Sequence, residues 1–490
     1  MRRKGFVIGA RLALYNVLLV VLAGCSTNSS NKIPITTTSE EARKNFLQGR
    51  DLAEKLQGQE SLKYFEAAIG HDQGFALAYL NFSFNQPTAK GFFEQLEKAV
   101  ALADKVSEGE RQQILGFEAG VNGDPAKQKE YYQKLVAAFP EDERAHNLLG
   151  GYYFGQQEFE LAIQEYNKAT TIAPGYSPPY NQLGYAYRSL EKYTEAENAF
   201  KKYIELIPND PNPYDSYAEL LLKIGRFDES VAQYQKALTF NPNFVASHIG
   251  IATNYCLKDQ HEQARAQLQM LYDIARDDGE RRGALFAKTV TYVDEGNTAM
   301  ALQDLDKQFA LGEKINDAPA MSGDLGTMGA ILQESGKYDE AMAKYELSVQ
   351  YIEASTLSPE VKENARRLHL NNAARIALLK KDLATAKGKS EEFRAQAEAA
   401  KNTFQMWLAH ELAGMIALEE KAFDQAIEHF QQANQQNPYT FYRLALAYEG
   451  KGEMEKAKEA CTKAAGFNSL NNLNYAFMRK RAEQKLATIS

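Results

Sequence analysis

Four prolines recur at a constant interval in the first half of the chain, and this interval constrains the fold more than any other feature. Pro140, Pro174, Pro208 and Pro242 are each separated by 34 residues. A fixed period of this length is typical of chains built from repeated supersecondary units. Each interval holds two apolar-periodic runs of about a dozen residues, so each unit is predicted to be a helical hairpin.

Small and aromatic residues keep the same phase in these units. Ten residues after each proline stands a small residue, at Gly150, Gly184, Ala218 and Ala252. Twenty-six residues after each proline stands a large one, at Tyr166, Phe200, Tyr234 and Leu268. We expect the small residues to let the two helices of a hairpin approach closely, and the large side chains to fill the space beside them. Proline cannot continue a helix, so it ends each unit.

The period, the small-residue columns and the terminal proline together resemble the tetratricopeptide repeat. The columns reappear downstream, most cleanly at Gly414, Phe430 and Pro438, and the register extends over roughly residues 40–488. The resemblance implies an all-α fold, a right-handed superhelical solenoid of about twelve hairpins. A longer connection near 355–366 is predicted to separate an N-terminal block, residues 40–355, from a C-terminal block, residues 356–490, that ends in a capping helix.

The first 24 residues have the three parts of a secretory signal peptide. A basic start is followed by an apolar run from Leu12 to Gly24 that is interrupted at Asn16. This run is shorter than the roughly 20 residues of a membrane-spanning helix. The sequence LAGC, which ends at Cys25, resembles a bacterial lipobox, and the resemblance implies cleavage before Cys25 and its lipidation, including palmitate. An ordinary signal peptide or an uncleaved anchor with a chance cysteine is the alternative.

Residues 25–39 are rich in Ser, Thr and Asn and are predicted to form a flexible tether after the lipidated cysteine. Ser26 follows the cysteine, which resembles the sorting pattern of lipoproteins of the outer membrane. The expected location is therefore the bacterial cell envelope, on the periplasmic face of the outer membrane where the cell has one.

The charge and the motifs narrow the possible functions. The formal net charge is −8, and the residues before Cys25 contribute only basic side chains, so the remainder is more acidic still. This balance argues against nucleic-acid binding. The sequence has no Cys-x-x-Cys pair, phosphate loop or Gly-x-Ser-x-Gly turn, and HELAG at 410 lacks the second histidine of a zinc protease. We therefore expect no enzyme, metal or cofactor, and interpret His146 and His248 as packing residues in the column of Tyr180 and Tyr214.

In the repeat family, positions seven, eleven and fourteen after each proline line the concave face. The resemblance therefore implies a partner-binding strip, whose residues are Phe117, Asn147, Phe154, Asn181, Tyr185 and Arg188. An asparagine amide can donate to and accept from a peptide backbone, and aromatic rings can anchor apolar side chains. The alternative is that these residues only fill an unused inner face. The lysines with which chaperone-type members grip a C-terminal carboxylate are missing from these columns.

The hypothesis with most support is an exported, lipid-anchored scaffold that binds protein partners in its concave groove, in cell-envelope assembly. A regulatory or sensing module that reads a peptide signal is the alternative, and an enzyme on a helical scaffold is the least favoured.

Cys256 and Cys461 lie several repeats apart. Since a repeat contacts its neighbours and bridged Cα atoms lie within about 7 Å, we predict that they do not form a disulfide.

Overall fold

The computed structural model describes residues 31–489, so Cys25 and the predicted signal peptide lie outside the described residues. Within this range the chain forms 25 α-helices and one 3-10 turn, Ala103–Lys105, and no strand. The odd-numbered helices are α1 (Glu40–Glu54), α3 (Ala76–Phe84), α5 (Glu108–Val121), α7 (Glu143–Gly155), α9 (Pro178–Ser189), α11 (Pro211–Lys223), α13 (Val245–Leu257), α15 (Asp278–Glu295), α17 (Ala318–Glu334), α19 (Pro359–Leu379), α21 (Thr403–Glu419), α23 (Pro438–Lys451) and α25 (Leu473–Thr488). The even-numbered helices are α2 (Gly58–His71), α4 (Ala89–Ala101), α6 (Pro125–Ala138), α8 (Phe159–Ile172), α10 (Tyr193–Leu206), α12 (Phe227–Phe240), α14 (His261–Ile274), α16 (Thr298–Lys314), α18 (Tyr338–Ala354), α20 (Leu383–Ala399), α22 (Phe423–Gln432) and α24 (Met454–Ala465).

Each odd-numbered helix from α1 to α23 packs on the even-numbered helix that follows it, which gives twelve hairpins in the described range. Hairpin 1 is α1–α2, hairpin 2 is α3–α4, and so on to hairpin 12. The predicted all-α repeat solenoid is therefore confirmed. The prolines lie where expected, between hairpins: α8 ends at Ile172, Pro174 follows in the connection, and α9 begins at Pro178.

Close packing of glycine against an aromatic ring holds the hairpins together, as the sequence columns predict. A Cβ atom on Gly184 would lie 2.4 Å from Cε1 of Phe200, and one on Gly150 would lie 2.5 Å from Cε1 of Tyr166. Both rings are fully buried. The same contact recurs in the hairpins of Gly116, Gly329 and Gly414. Glycine is unfavourable within a helix by about 1 kcal/mol, and here the close approach of the second helix offsets this cost.

The superhelix folds back on itself, so distant repeats touch. The first turn of α2 reaches the start of α15, where Gln59 Nε2 donates to Asp277 Oδ2 over 2.7 Å. Beside it, Arg276 donates to Glu60 Oε1 over 2.7 Å. The expectation that each repeat contacts only its neighbours is therefore wrong for this chain. As a consequence, hairpins 1 and 8 face each other across the inner side of the first turn.

The predicted boundary between the two blocks falls in the connection between α18 and α19. This connection is itself joined to the α5–α6 turn, since Ser358 Oγ lies 3.1 Å from Asn122 Oδ1. From the C-terminal block, Asn402 Nδ2 donates to the carbonyl oxygen of Gly123 over 3.1 Å. The two blocks are thus bonded to each other through hairpin 3.

Helix α25 does more than cap the array. It packs on α23 and α24, as a capping helix would, and also on α15. Arg479 is only 4% exposed and donates to both carboxylate oxygens of Asp294, over 2.9 and 2.5 Å. A third bond joins Arg479 to Asp259 Oδ1 over 2.8 Å. Arg479 is therefore not a solvent-exposed residue of a capping helix, because its guanidinium binds Asp294 on α15 and Asp259 in the α13–α14 turn.

Residues 32–37 cross the beginnings of the first helices as an extended strap. The Ile33 amide donates to Asp142 Oδ2 over 2.9 Å, and the Thr36 amide donates to Glu110 Oε1 over 2.7 Å. Arg43 donates to the Ile35 carbonyl oxygen over 3.0 Å. The prediction of a flexible tether over residues 25–39 is therefore wrong for residues 32–37. The backbone of this strap is hydrogen-bonded to side chains at the starts of α5 and α7.

Candidate partner-binding cavity

A cavity of about 800 Å³ lies inside the first turn of the superhelix. Its floor is the inner face of α9, α11 and α13, and the α1–α2 turn forms the opposite wall. Four of the six predicted partner-binding residues line it: Phe154, Asn181, Tyr185 and Arg188. The repeat register therefore placed these four residues correctly on the wall of one concave space.

Helix α9 presents three of these residues on one face. Pro178 and Pro179 occupy its first positions, where the missing amide hydrogens cost nothing and the fixed φ favours the helix. Asn181, Tyr185 and Arg188 follow at spacings of four and three, so they point to the same side.

The inner-face position seven residues after the proline is polar in three successive hairpins, and it is Ile249 after Pro242. We call Asn147, Asn181 and Asp215 the amide column, after the two amide side chains that begin it. The three residues stand on α7, α9 and α11. The Oδ1 atoms of Asn147 and Asn181 are buried and accept no hydrogen bond within the described residues. Asn181 is 6% exposed, so its amide lies almost wholly within the protein. An unsatisfied buried acceptor costs about 1–3 kcal/mol, and a ligand with an N–H group would relieve that cost.

Asn147 stands in a separate space. A second cavity of about 570 Å³ is lined by Asn147, by residues of α1 and by the strap. Leu56, in the α1–α2 turn, lines both cavities and is 59% exposed. The predicted strip is therefore divided by the α1–α2 turn into a part at Asn147 and a part at Asn181.

Asp215 is the third member of the amide column and is 5% exposed. It accepts a hydrogen bond from Ser247 Oγ over 2.7 Å, and among residues 31–489 it forms no ion pair with Lys, Arg or His. Burial raises the pKa of this carboxyl from 3.8 to about 7, although the Ser247 bond acts in the opposite direction. Sequence analysis placed Asp215 on the inner face but did not single it out.

Tyr185 and Arg188 bind Glu219 of the next hairpin. Tyr185 donates to Glu219 Oε2 over 3.0 Å, and Arg188 donates to Oε1 over 2.5 Å. The Arg188 guanidinium also stacks 4.7 Å from the centre of the Tyr185 ring. Since the ring packs edge-on against Phe200, Tyr185 contributes to the core as well as to the cavity wall. The signal for the pair was available, because Tyr185 and Glu219 share one repeat position.

The two predicted phenylalanines differ in their surroundings. Phe154 lines the main cavity and packs against Phe159, with ring centres 5.4 Å apart. Phe117 packs edge-on against Phe84, 4.5 Å away, and joins the N-terminal apolar cluster. Partner binding by Phe117 stays a prediction that this packing does not favour.

The column six residues after each proline, which holds His146, Tyr180, Tyr214 and His248, stabilises the connections between hairpins. Nε2 of His146 lies 3.0 Å from the carbonyl oxygen of Pro140, and Nε2 of His248 lies 2.8 Å from that of Pro242. The Tyr180 and Tyr214 hydroxyls donate to the carbonyl oxygens of the prolines six residues earlier in the same way. The two histidines therefore replace tyrosine in this column, as predicted, and they form the same hydrogen bond that tyrosine forms.

Cys256, His261 and Asp294 come together at the docking site of α25. Their potential ligand atoms lie within 4.8 Å of one another. Asp294 is bound by Arg479 and by His261 Nε2, which lies 2.9 Å away. Burial and the neighbouring Asp294 raise the pKa of the Cys256 thiol far above its ordinary range. Because a nucleophilic cysteine needs the thiolate, this environment disfavours Cys256 as a nucleophile.

Both cysteines of the described range are free, as predicted, and both are buried. Both thiols lie near α25, so separation along the array is not the whole reason that they are unpaired. Cys461 Sγ donates to the Ala482 carbonyl oxygen over 3.3 Å, whereas Cys256 neighbours the Arg479–Asp294 pair.

Across residues 31–489, no helix combines the length and the hydropathy that a membrane span requires.

Family models of the tetratricopeptide repeat match residues 118–177, 177–210, 212–244 and 438–469. Such repeats are thus detected in both blocks of the chain, and the helix pairing agrees with them. Among curated proteins, none matches the chain.

Several solved structures resemble parts of the array. A tetratricopeptide repeat protein from Parabacteroides merdae is 15% identical, with a TM-score of 0.34 over 56% of this chain and 94% of that one. PilF from Pseudomonas aeruginosa is 16% identical, with a TM-score of 0.30 over 44% of this chain and 90% of that one. YrrB, described as having an unusual peptide-binding site, is 21% identical, with a TM-score of 0.26 over 37% and 91%.

Proposed function

We propose that this tetratricopeptide repeat chain is a lipid-anchored scaffold of the bacterial cell envelope that binds an extended segment of a protein partner inside its first superhelical turn. Such repeats are protein-interaction modules, which supports the general part of this proposal. The observation that carries the specific part is the amide column, where Asn147 and Asn181 each hold a buried oxygen without a donor.

An extended backbone matches the spacing of this column. Neighbouring packed helices lie about 8–10 Å apart, and an extended chain advances about 3.3 Å per residue. Every third residue of a bound segment would therefore meet the next repeat. The two cavities share Leu56 in their linings, so a segment that binds both asparagines must pass this residue. Its N–H groups are the donors that the two amide oxygens lack, and Phe154 adds an apolar surface in the main cavity.

The anchor is proposed from the lipobox-like sequence that ends at Cys25. Six residues separate Cys25 from Lys32, and the seven steps between them span at most about 25 Å when extended. Because the strap is bonded to the first turns of α5 and α7, a lipid on Cys25 would hold that edge of the superhelix close to the bilayer.

A double substitution tests the binding site. Asn147→Ala with Asn181→Ala removes both acceptors, and each lost buried contact is worth roughly 1–3 kcal/mol. We expect partner capture from an envelope extract to fall at least tenfold, since about 1.4 kcal/mol corresponds to tenfold in affinity. Thermal melts of the same variants measure whether the fold is retained.

The matched control changes two asparagines on the outer helices of the same hairpins. Asn167 on α8 and Asn198 on α10 are both exposed. Asn167→Ala with Asn198→Ala should capture the same partners as the parent. Equal capture by the Asn147/Asn181 variant and the parent would instead place the binding site on the convex face or in residues 367–471.

A further inference from the structure

Asp215 is a carboxyl group whose charge is not balanced inside the protein. It is 5% exposed, lines the main cavity, and its recorded hydrogen-bond donor is the neutral Ser247 hydroxyl. Arg188, a cation in the lining of the same cavity, is bound by Glu219. A buried carboxylate without a cation costs several kcal/mol, and a ligand that carries a positive charge would relieve this cost.

The rest of the cavity wall has the same electrostatic sign. Its lining contains five carboxyl side chains, at Glu60, Asp215, Glu219, Asp277 and Glu280, and two guanidinium groups, at Arg188 and Arg276. Each guanidinium is already paired, Arg188 with Glu219 and Arg276 with Glu60 and Glu280. The cavity therefore attracts positive charge and repels acidic segments.

A second, independent observation points to the same ligand. Asn181, one repeat before Asp215 in the amide column, is 6% exposed, lines the same cavity, and has an Oδ1 atom without a donor. Both residues are thus hydrogen-bond acceptors, one neutral and one acidic, on adjacent inner helices. A segment that offers a backbone N–H and a cationic side chain would satisfy both.

We propose that the main cavity selects a lysine or arginine in the bound segment, with its cationic group paired to Asp215 and a backbone N–H donated to Asn181. This inference rests on the proposed function, that an extended segment enters the cavity, and adds the chemistry that the segment must carry. The spacing of about 8–10 Å between the helices of Asn181 and Asp215 is within the combined reach of two or three residues and a long basic side chain.

A displayed library of random heptapeptides, selected against the full chain in detergent, tests the proposal. Peptides that bind should be enriched in Lys or Arg at one position. For the best of them, replacing that basic residue by norleucine should weaken binding to the parent at least tenfold, measured by fluorescence anisotropy. The same replacement should change binding to the Asp215→Asn variant less than threefold, because the partner of the charge is gone.

Asp228→Asn supplies the matched control. It makes the same change of charge on α12, where the Asp228 side chain is 91% exposed, pairs with Lys258 and is not part of the cavity lining. This variant should show the full effect of the norleucine replacement. An equal effect in the parent and in Asp215→Asn would overturn the pairing.

The outcomes separate this inference from the proposed function. Peptides that bind the parent and lose affinity with Asn181→Ala, but show no enrichment in Lys or Arg, would overturn the inference and leave the proposed function standing. A selection that yields no peptide sensitive to Asn181→Ala would overturn both.

Discussion

Replacing Asp215 by Asn should stabilise the fold at alkaline pH. Asparagine keeps the shape of the side chain and an oxygen that can accept the Ser247 hydrogen bond. It removes a charge that is 5% exposed and has no cation in contact among residues 31–489. The substitution therefore isolates the free-energy cost of the buried charge.

The size and sign follow from the pKa of Asp215, which burial raises from 3.8 to about 7. Between these two values the folded chain holds the proton and the unfolded chain does not, so the parent loses stability as pH rises through this window. The loss is about 1.4 kcal/mol per pH unit, which gives a ceiling of about 4 kcal/mol above the window. The Asn variant does not titrate and escapes this loss.

Urea unfolding followed by circular dichroism measures the difference. Between about pH 5 and about pH 8, the stability advantage of Asp215→Asn over the parent should grow by about 3 kcal/mol. The exposed Asp228→Asn serves as the control and should show no such growth. An advantage that is the same at both pH values, or a variant less stable than the parent at alkaline pH, would refute the account of Asp215 as an uncompensated buried carboxyl.

Three further predictions concern the packing, the docked helix and the anchor. Gly184→Leu should lower the stability of the array by about 1–3 kcal/mol in thermal melts, because the added side chain meets the Phe200 ring, whereas Gly151→Ala, with no atom within 4 Å of the new Cβ, should not. Arg479→Ala should lower the free energy of unfolding by about 3–5 kcal/mol and expose α25 to limited proteolysis, because it removes the guanidinium that pairs with Asp294. Arg481→Ala should have a smaller effect, because the Arg481 side chain is 47% exposed. Cys25→Ala should abolish incorporation of labelled palmitate and release the chain from membranes, and unchanged attachment would contradict the lipid anchor.

The repeat pattern explains which parts of the fold could be predicted. Gly184 and Phe200 belong to columns that recur every 34 residues, so their contact follows from the period. The same register placed Asn181 on the inner face. Tyr185 was predicted to be available to a partner, but its contacts with Phe200 and Glu219 depend on the adjacent helix and the adjacent hairpin.

The contacts that close the superhelix could not be predicted from the repeats. Gln59 and Asp277 are 218 residues apart, and Arg479 and Asp294 are 185 apart. Neither pair occupies a repeated position, so the register carries no information about it. The strap is likewise a single non-periodic segment, and a composition rich in Ser and Thr cannot distinguish a free tether from one bonded to helix starts.

The central claim, that a partner segment enters the cavity, is tested most directly by site-specific photo-crosslinking in cells. A benzophenone side chain at Gln182, which lines the cavity, is compared with one at Asn167, which is exposed on the outer helix α8. The account predicts an adduct at Gln182 that contains a peptide with Lys or Arg, identified by mass spectrometry, and no such adduct at Asn167. An adduct at Asn167 with none at Gln182 would contradict it.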